Sequence, residues 1–122
     1  MKLLPIVAVQ FDIFWENKQE NLSLLSKKIK ALSSEDKIIF LPEMFATGFS
    51  MNSALAETMD GEIISWMRHT AQLEGKIICG SVMIQEDEKI FNRLIWMLPN
   101  GLVHYYDKRH LFAFAGEDKV FS

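Results

Sequence analysis

The hydrophobic pattern changes period along the chain. Residues 3–11 are almost continuously apolar, as expected of a strand covered on both faces. From Asn17 the period becomes helical. Leu22, Leu25, Ile29 and Leu32 fall on one stripe, with Lys27, Lys28 and Lys30 largely outside it. Asn17 followed by Glu20 has the spacing of an N-cap with a reciprocating carboxylate, and Ser33 and Ser34 end the helix. Residues 37–41 predict a second short strand, closed by Pro42. Residues 43–59 have no clear period and read as a long functional loop with room for a helical turn. Asp60 is placed to cap a second helix, with Ile63, Ile64, Met67 and Ala71 inward and Gly75 as its stop. Residues 77–84 predict a third strand and the acidic residues 86–88 a turn. Residues 91–98 and 103–106 predict a hairpin across Pro99-Asn100-Gly101, where Asn-Gly supplies positive φ angles. Two βα units followed by three strands imply a mixed α/β layered fold, with helices covering a sheet.

Composition narrows the class. A chain of 122 residues is long enough for one domain and too short for two ordinary ones. With 49% hydrophobic and 24% charged residues it falls among globular chains rather than disordered ones. The formal charge is −3 and the basic residues are scattered, which argues against a nucleic-acid partner. A single cysteine excludes an internal disulfide framework and fits a reducing compartment. Lys2 and the apolar residues after it faintly resemble a signal peptide, but Gln10 and Asp12 leave no small-residue cleavage site, so a buried first strand explains the run. No stretch approaches the ~20 apolar residues of a membrane span. The expected location is cytoplasmic, with no membrane partner. No repeat, low-complexity tract or linker divides residues 1–122.

Candidate chemistry sits at two strand ends. Glu43 follows IIFLP and Lys108 follows VHYYD, where α/β folds commonly hold reactive side chains on a rigid sheet beneath open loops. A partly desolvated glutamate can act as a general base there, and a nearby lysine can stabilise an oxyanion. By spacing alone, however, both fit ordinary solvated loop charges better.

The words around them change that balance. LPEMFATGFS around Glu43, Gly80-Ser81 of the third strand and YDKRHLF around Lys108 resemble the nitrilase, or carbon–nitrogen hydrolase, superfamily. The opening AVQFDIFWENKQENL resembles its first strand and helix. Four blocks in order span essentially the whole chain, and LPEMFATGFSM and YDKRHLFAFAGE are most similar to the omega-amidase branch. The resemblance implies the N-terminal part of a four-layer α-β-β-α sandwich and a Glu-Lys-Cys mechanism without a metal or organic cofactor. Glu43 would be the base, Lys108 would stabilise the tetrahedral intermediate, and Glu117 in AGED would match a second glutamate that orients substrate and nucleophile. The substrate implied is a small amide, foremost a short 2-oxo dicarboxylic acid monoamide. A homo-oligomer is the expected assembly.

One part of the pattern is missing. In the family the nucleophilic cysteine lies some tens of residues beyond the lysine, whereas Cys79 precedes Lys108, inside the predicted strand IICGS. Buried cysteine usually behaves as a small hydrophobe. Residues 1–122 are therefore expected to form a single hydrolase domain cut short before its nucleophile, inactive alone. The alternatives are a non-catalytic structural or interaction fragment, another nitrilase-type amidase or nitrilase, or a thiol hydrolase using Cys79 and a histidine, which requires an accessible Cys79. His69 and His104 read as structural or solvent-facing, and His110 as either packing or catalytic. No two histidines have metal-ligand spacing. Gly48, Gly75, Gly80 and Gly101 form no phosphate loop. Trp15, Trp66 and Trp96 lie in separate elements and read as core or interface.

Overall fold

A computed structural model describes residues 3–122. Strands β1 (Ile6–Ala8), β2 (Ile38–Phe40) and β3 (Ile77–Glu86) run parallel, and β4 (Lys89–Met97) and β5 (Val103–Asp107) continue antiparallel. The five lie side by side in sequence order. Helix α1 (Lys18–Lys30) makes the first crossover and α2 (Glu62–Glu74) the second. The result is an α/β fold with a mixed sheet.

The stripe read from the sequence is the packed face of α1: Leu22, Leu25 and Ile29 are buried against Ile39, Ile78 and Val82 of the sheet and Ile63, Ile64 and Met67 of α2. Trp66 joins the two helices, its indole N–H donating to Ser26 Oγ at 2.8 Å while its ring packs on Phe45. Both helix starts differ in detail from expectation. Asn17 caps α1 by accepting from the Glu20 N–H, but its own N–H donates to Phe14 O, so Glu20 does not reciprocate. Helix α2 begins after Gly61, not at a cap from Asp60; Glu57 Oε1 accepts the Ile63 N–H at 2.8 Å instead. A longer side chain reaching back from the preceding loop satisfies the orphan donor that a cap would have taken. Gly75 ends α2 at φ +64°, as its position suggested.

The β3–β4 hairpin turns at Asp87 and Glu88, both at positive φ, a backbone twist that suits a two-residue turn. In the β4–β5 connection only Gly101 is left-handed (φ +88°). Its N–H donates to Leu98 O, and Leu98 pairs with Leu102, so three residues make the loop. The loop after β2 contains a 3₁₀ turn (Ser53–Leu55) and returns to the sheet at Glu57, which bridges to Ile84.

Strand alternation divides the sheet into two faces. Val7, Ile39, Ile78, Gly80, Val82, Ile95 and Met97 face the helices. Ile6, Phe40, Cys79, Ser81, Leu94, Trp96 and Tyr106 face the other way. The expectation of a first strand covered on both faces fails: β1 is an edge strand of three residues, and Ile6 is 57% exposed. Among the described residues no helix or second sheet packs over that side of β1.

Candidate active site

Each charged group of the site is held by a different piece of backbone. Glu43 lies just past β2 in a loop pinned at several points. The next residue, Met44, has φ +49° and donates its N–H to Ser81 Oγ on β3 at 2.8 Å. Gly80 makes the crossing possible, since a Cβ there would stand 2.8 Å from the Phe45 ring and 3.0 Å from Leu41 Cβ. Fully buried Asn21 of α1 clasps the loop from behind, donating to Phe14 O and Ala46 O and accepting the Phe14 N–H. The loop is thus a rigid mount rather than a flexible strap.

Lys108 follows β5, its N–H donating to Asn92 O on β4 at 3.0 Å. The chain then passes a 3₁₀ turn (Ala113–Ala115) and Gly116 at φ +82° into the short helix α3 (Glu117–Val120). Phe121 packs against Met44 and Met83, and the Ser122 N–H donates to Ile90 O. This return folds the last segment over the sheet and carries Glu117 back to the strand ends.

The three side chains meet. Lys108 Nζ lies 2.7 Å from Glu43 Oε1 and 3.1 Å from Glu117 Oε1, although Glu43 and Lys108 are 65 positions apart. Glu117 is fully buried and accepts the Phe112 N–H at 2.6 Å, whereas Glu43 is about half exposed. Burial by itself pushes the Glu117 carboxyl up, but the Phe112 N–H, the Asn92 amide and Lys108 outweigh it and hold the group below its ordinary value. Burial likewise pushes Lys108 down, and its bonds to Glu43 and Glu117 outweigh that and raise it. Glu117 and Lys108 are both charged near neutrality. Glu43 and Lys108 line an open cleft of about 300 Å³ together with Leu41, Ser81, Asn92, Leu94 and Tyr106, while Glu117 is buried beside them. A half-exposed carboxylate beside an ammonium in an apolar-walled cleft can move a proton and stabilise a developing negative charge.

Other candidates stay outside. Cys79 is buried on β3, and burial pushes its thiol up, which suits a packed residue and not an accessible nucleophile. The requirement of the thiol-hydrolase alternative is not met. His69, His104 and His110 are exposed side chains away from the ion cluster's hydrogen bonds. Among the described residues no group of three or more His, Cys, Asp or Glu is arranged to hold a metal, and no helix is long and apolar enough to cross a membrane. The residue that reading by motif overlooks is Asn92, whose Nδ2 donates to Glu43 Oε1 at 2.8 Å and Glu117 Oε2 at 3.1 Å. Its legible signal is a polar pair, Asn92-Arg93, in the middle of an otherwise apolar strand.

The family model described as carbon–nitrogen hydrolase matches residues 6–122. The omega-amidase YafV of Escherichia coli K12 is 36% identical over 114 residues, covering 93% of this chain and 44% of that protein. Its counterpart from Yersinia enterocolitica is 37% identical over 117 residues, covering 96% and 45%. A solved carbon–nitrogen hydrolase superfamily protein of Xanthomonas campestris, with an arsenic adduct in its active site, superimposes with a TM-score of 0.88 at 38% identity, over 93% of this chain and 43% of that one. Nit3 of Saccharomyces cerevisiae shares the fold at a TM-score of 0.79 and 21% identity, over 93% and 46%. The chain therefore spans less than half the length of the curated relatives it matches.

Proposed function

The chain belongs to the carbon–nitrogen hydrolase (nitrilase) family, and we propose that it carries the Glu43–Lys108–Glu117 part of an omega-amidase site acting on a short 2-oxo dicarboxylic acid monoamide. The observation that carries this reading is the contact of Lys108, which lines the cleft, with both carboxylates. Identity of 36% and 37% to two omega-amidases favours this branch over other nitrilase-type amidases.

In the proposed reaction a cysteine thiol attacks the amide carbonyl and gives its proton to Glu43. Lys108 stabilises the oxyanion of the tetrahedral intermediate. Collapse breaks the C–N bond, Glu43 passes the proton to the departing ammonia, and a thioester remains. Glu43 then takes a proton from water as it attacks the thioester, and the acid and the thiol are released. Glu117 orients Lys108 and, through it, the substrate. The thiol is not Cys79, so the proposal assigns it to polypeptide outside these 122 residues. It likewise treats residues 1–122 as one part of a single hydrolase domain. Its open sheet face would pack on a second sheet in a four-layer sandwich.

Ammonia release from such monoamides tests the reading. The 122-residue chain should be indistinguishable from its Glu43→Ala variant, because removing a nucleophile costs several powers of ten in rate. A polypeptide containing this sequence and a supplied cysteine should turn over, and Glu43→Gln should abolish that turnover. Robust turnover by the 122-residue chain that survives Cys79→Ser would mean that another nucleophile operates and the mechanism is misassigned. Turnover lost with Cys79→Ser would restore the thiol-hydrolase alternative.

A further inference from the structure

We infer that Asn92 is a positioning residue of this site, a neutral double donor that bridges Glu43 and Glu117 and leaves one oxygen of Glu43 free toward the cleft. The inference rests on the catalytic reading of the two glutamates for its consequence, and on geometry alone for its substance.

Asn92 is buried in β4 and bonds to both carboxylates and to the backbone of Lys108. Its backbone carbonyl accepts the Lys108 N–H at 3.0 Å, and its side-chain amide donates to Glu43 Oε1 and Glu117 Oε2. The amide orientation is dictated by charge. Turned over, it would set its carbonyl oxygen against two carboxylates that can only accept when ionised.

Two carboxylates that share one ammonium repel each other, and the usual relief is protonation of one of them. A second cation at position 92 would neutralise the excess charge but would also compete for the base. An aspartate of the same shape would add a third negative charge. A carboxamide instead supplies one hydrogen bond to each carboxylate and leaves the net charge unchanged.

The arrangement also distinguishes the two oxygens of Glu43. Lys108 Nζ and Asn92 Nδ2 converge on Oε1, at 2.7 and 2.8 Å. Oε2 makes no hydrogen bond among the described residues. With Oε1 doubly held, the carboxylate cannot rotate without losing a charged contact, and Oε2 is the oxygen presented for proton transfer. On Glu117, by contrast, both oxygens are engaged, by Phe112, Lys108 and Asn92. The same donors that orient Glu43 thus assign the two glutamates different duties, one open to the cleft and one fully occupied.

The test is an NMR pH titration of the isotope-labelled 122-residue chain, following the Asn92 side-chain NH₂ and the Glu117 carboxyl carbon. In the wild-type protein the Asn92 NH₂ signals should shift with the same midpoint as Glu117. In Asn92→Ala the Glu117 midpoint should move upward, and further upward in Asn92→Asp, with backbone amide dispersion retained. An asparagine that only fills space in β4, without donating to Glu117, would not move that midpoint. Asn92 NH₂ signals that stay constant through the Glu117 titration would overturn the inference, as would an unchanged Glu117 midpoint in a folded Asn92→Ala. The wild-type measurement decides the matter even where a variant fails to fold. Titration as expected without ammonia release from any polypeptide containing this sequence would sink the amidase reading and leave this one standing.

Discussion

Glu117 carries a charge in the most enclosed place the site offers, and only its donors make that tolerable. Glu117→Gln turns one acceptor into a donor that faces Lys108 or Asn92. We expect it to cost about 1–3 kcal/mol of stability at pH 7. The pH dependence follows from the direction of the shifts. A carboxyl held below its unfolded value of 4.5 contributes stability that is fully present above that value and lost as pH falls through the lower folded one. Lys108, raised above 10.5, contributes stability that is complete below that value and lost only as pH rises through the folded one. Wild type and Glu117→Gln should therefore differ most on the neutral plateau between the two and converge in acid below 4.5. Urea midpoints at pH 7 and pH 3 measure this; a gap at pH 3 as large as that at pH 7 would contradict it.

Among the elements, the β3–β4–β5 ladder is locked on its helix-facing side by Arg93. Its guanidinium lies 2.7 Å from Asp107 on β5 and 3.2 Å from Glu86 at the end of β3, between the rings of Phe91 and Tyr105. The pairing to Asp107 is bidentate, and both bonds act to hold the guanidinium in its charged form. Arg93 and Asp107 are register partners, one step along their strands from Asn92 and Lys108. The clamp on one face thus fixes the register that aligns the site on the other. Arg93→Met keeps much of the stem and loses the fork. Asp107 and Glu86 keep 28% and 47% of their side-chain surface in water, so neither is stranded. The expected loss is about 1–3 kcal/mol, below that of a fully buried pair broken on one side. Hydrogen exchange should show the loss concentrated in the β5 amides and in that of Lys108, which follows β5. A change within ~0.5 kcal/mol, the range of an ordinary surface substitution, would show that the clamp is ornamental.

For the whole molecule the dominant fact is the sheet face turned away from α1 and α2. Ile6, Leu94 and Tyr106 are 57%, 41% and 49% exposed there, beside half-buried Phe40 and Trp96. Contiguous apolar surface beyond a few hundred Å² is uncommon on soluble monomers, and both β1 and β5 leave a sheet edge unpaired among the described residues. The 122-residue chain is expected to self-associate through this face. Sedimentation should show a concentration-dependent mass that Ile6→Lys with Leu94→Lys reduces. A cooperative monomer at high concentration would show that the face is stable uncovered. Ile95, in the same strand as Leu94, makes no contribution to this patch, because alternation turns it into the helix-side core.

What is local was legible in the residues. The apolar stripe of α1, the Asn17 cap, the Gly75 stop and the order of strands and helices all depend on neighbours a few positions away, and period and propensity report such neighbours. The meeting of Glu43 with Lys108 was legible only through the family resemblance of the words around them, since by spacing alone both fit ordinary loop charges better. What depends on contacts between distant segments was not. The substitution of Glu57 for an Asp60 cap, the Asn92 bridge and the Arg93 clamp each join residues whose spacing carries no period. That Ile6 lies on the uncovered face follows from where the helices pack. An apolar run states that a strand seeks cover, but which of its faces receives it is decided only when the helices have chosen a side.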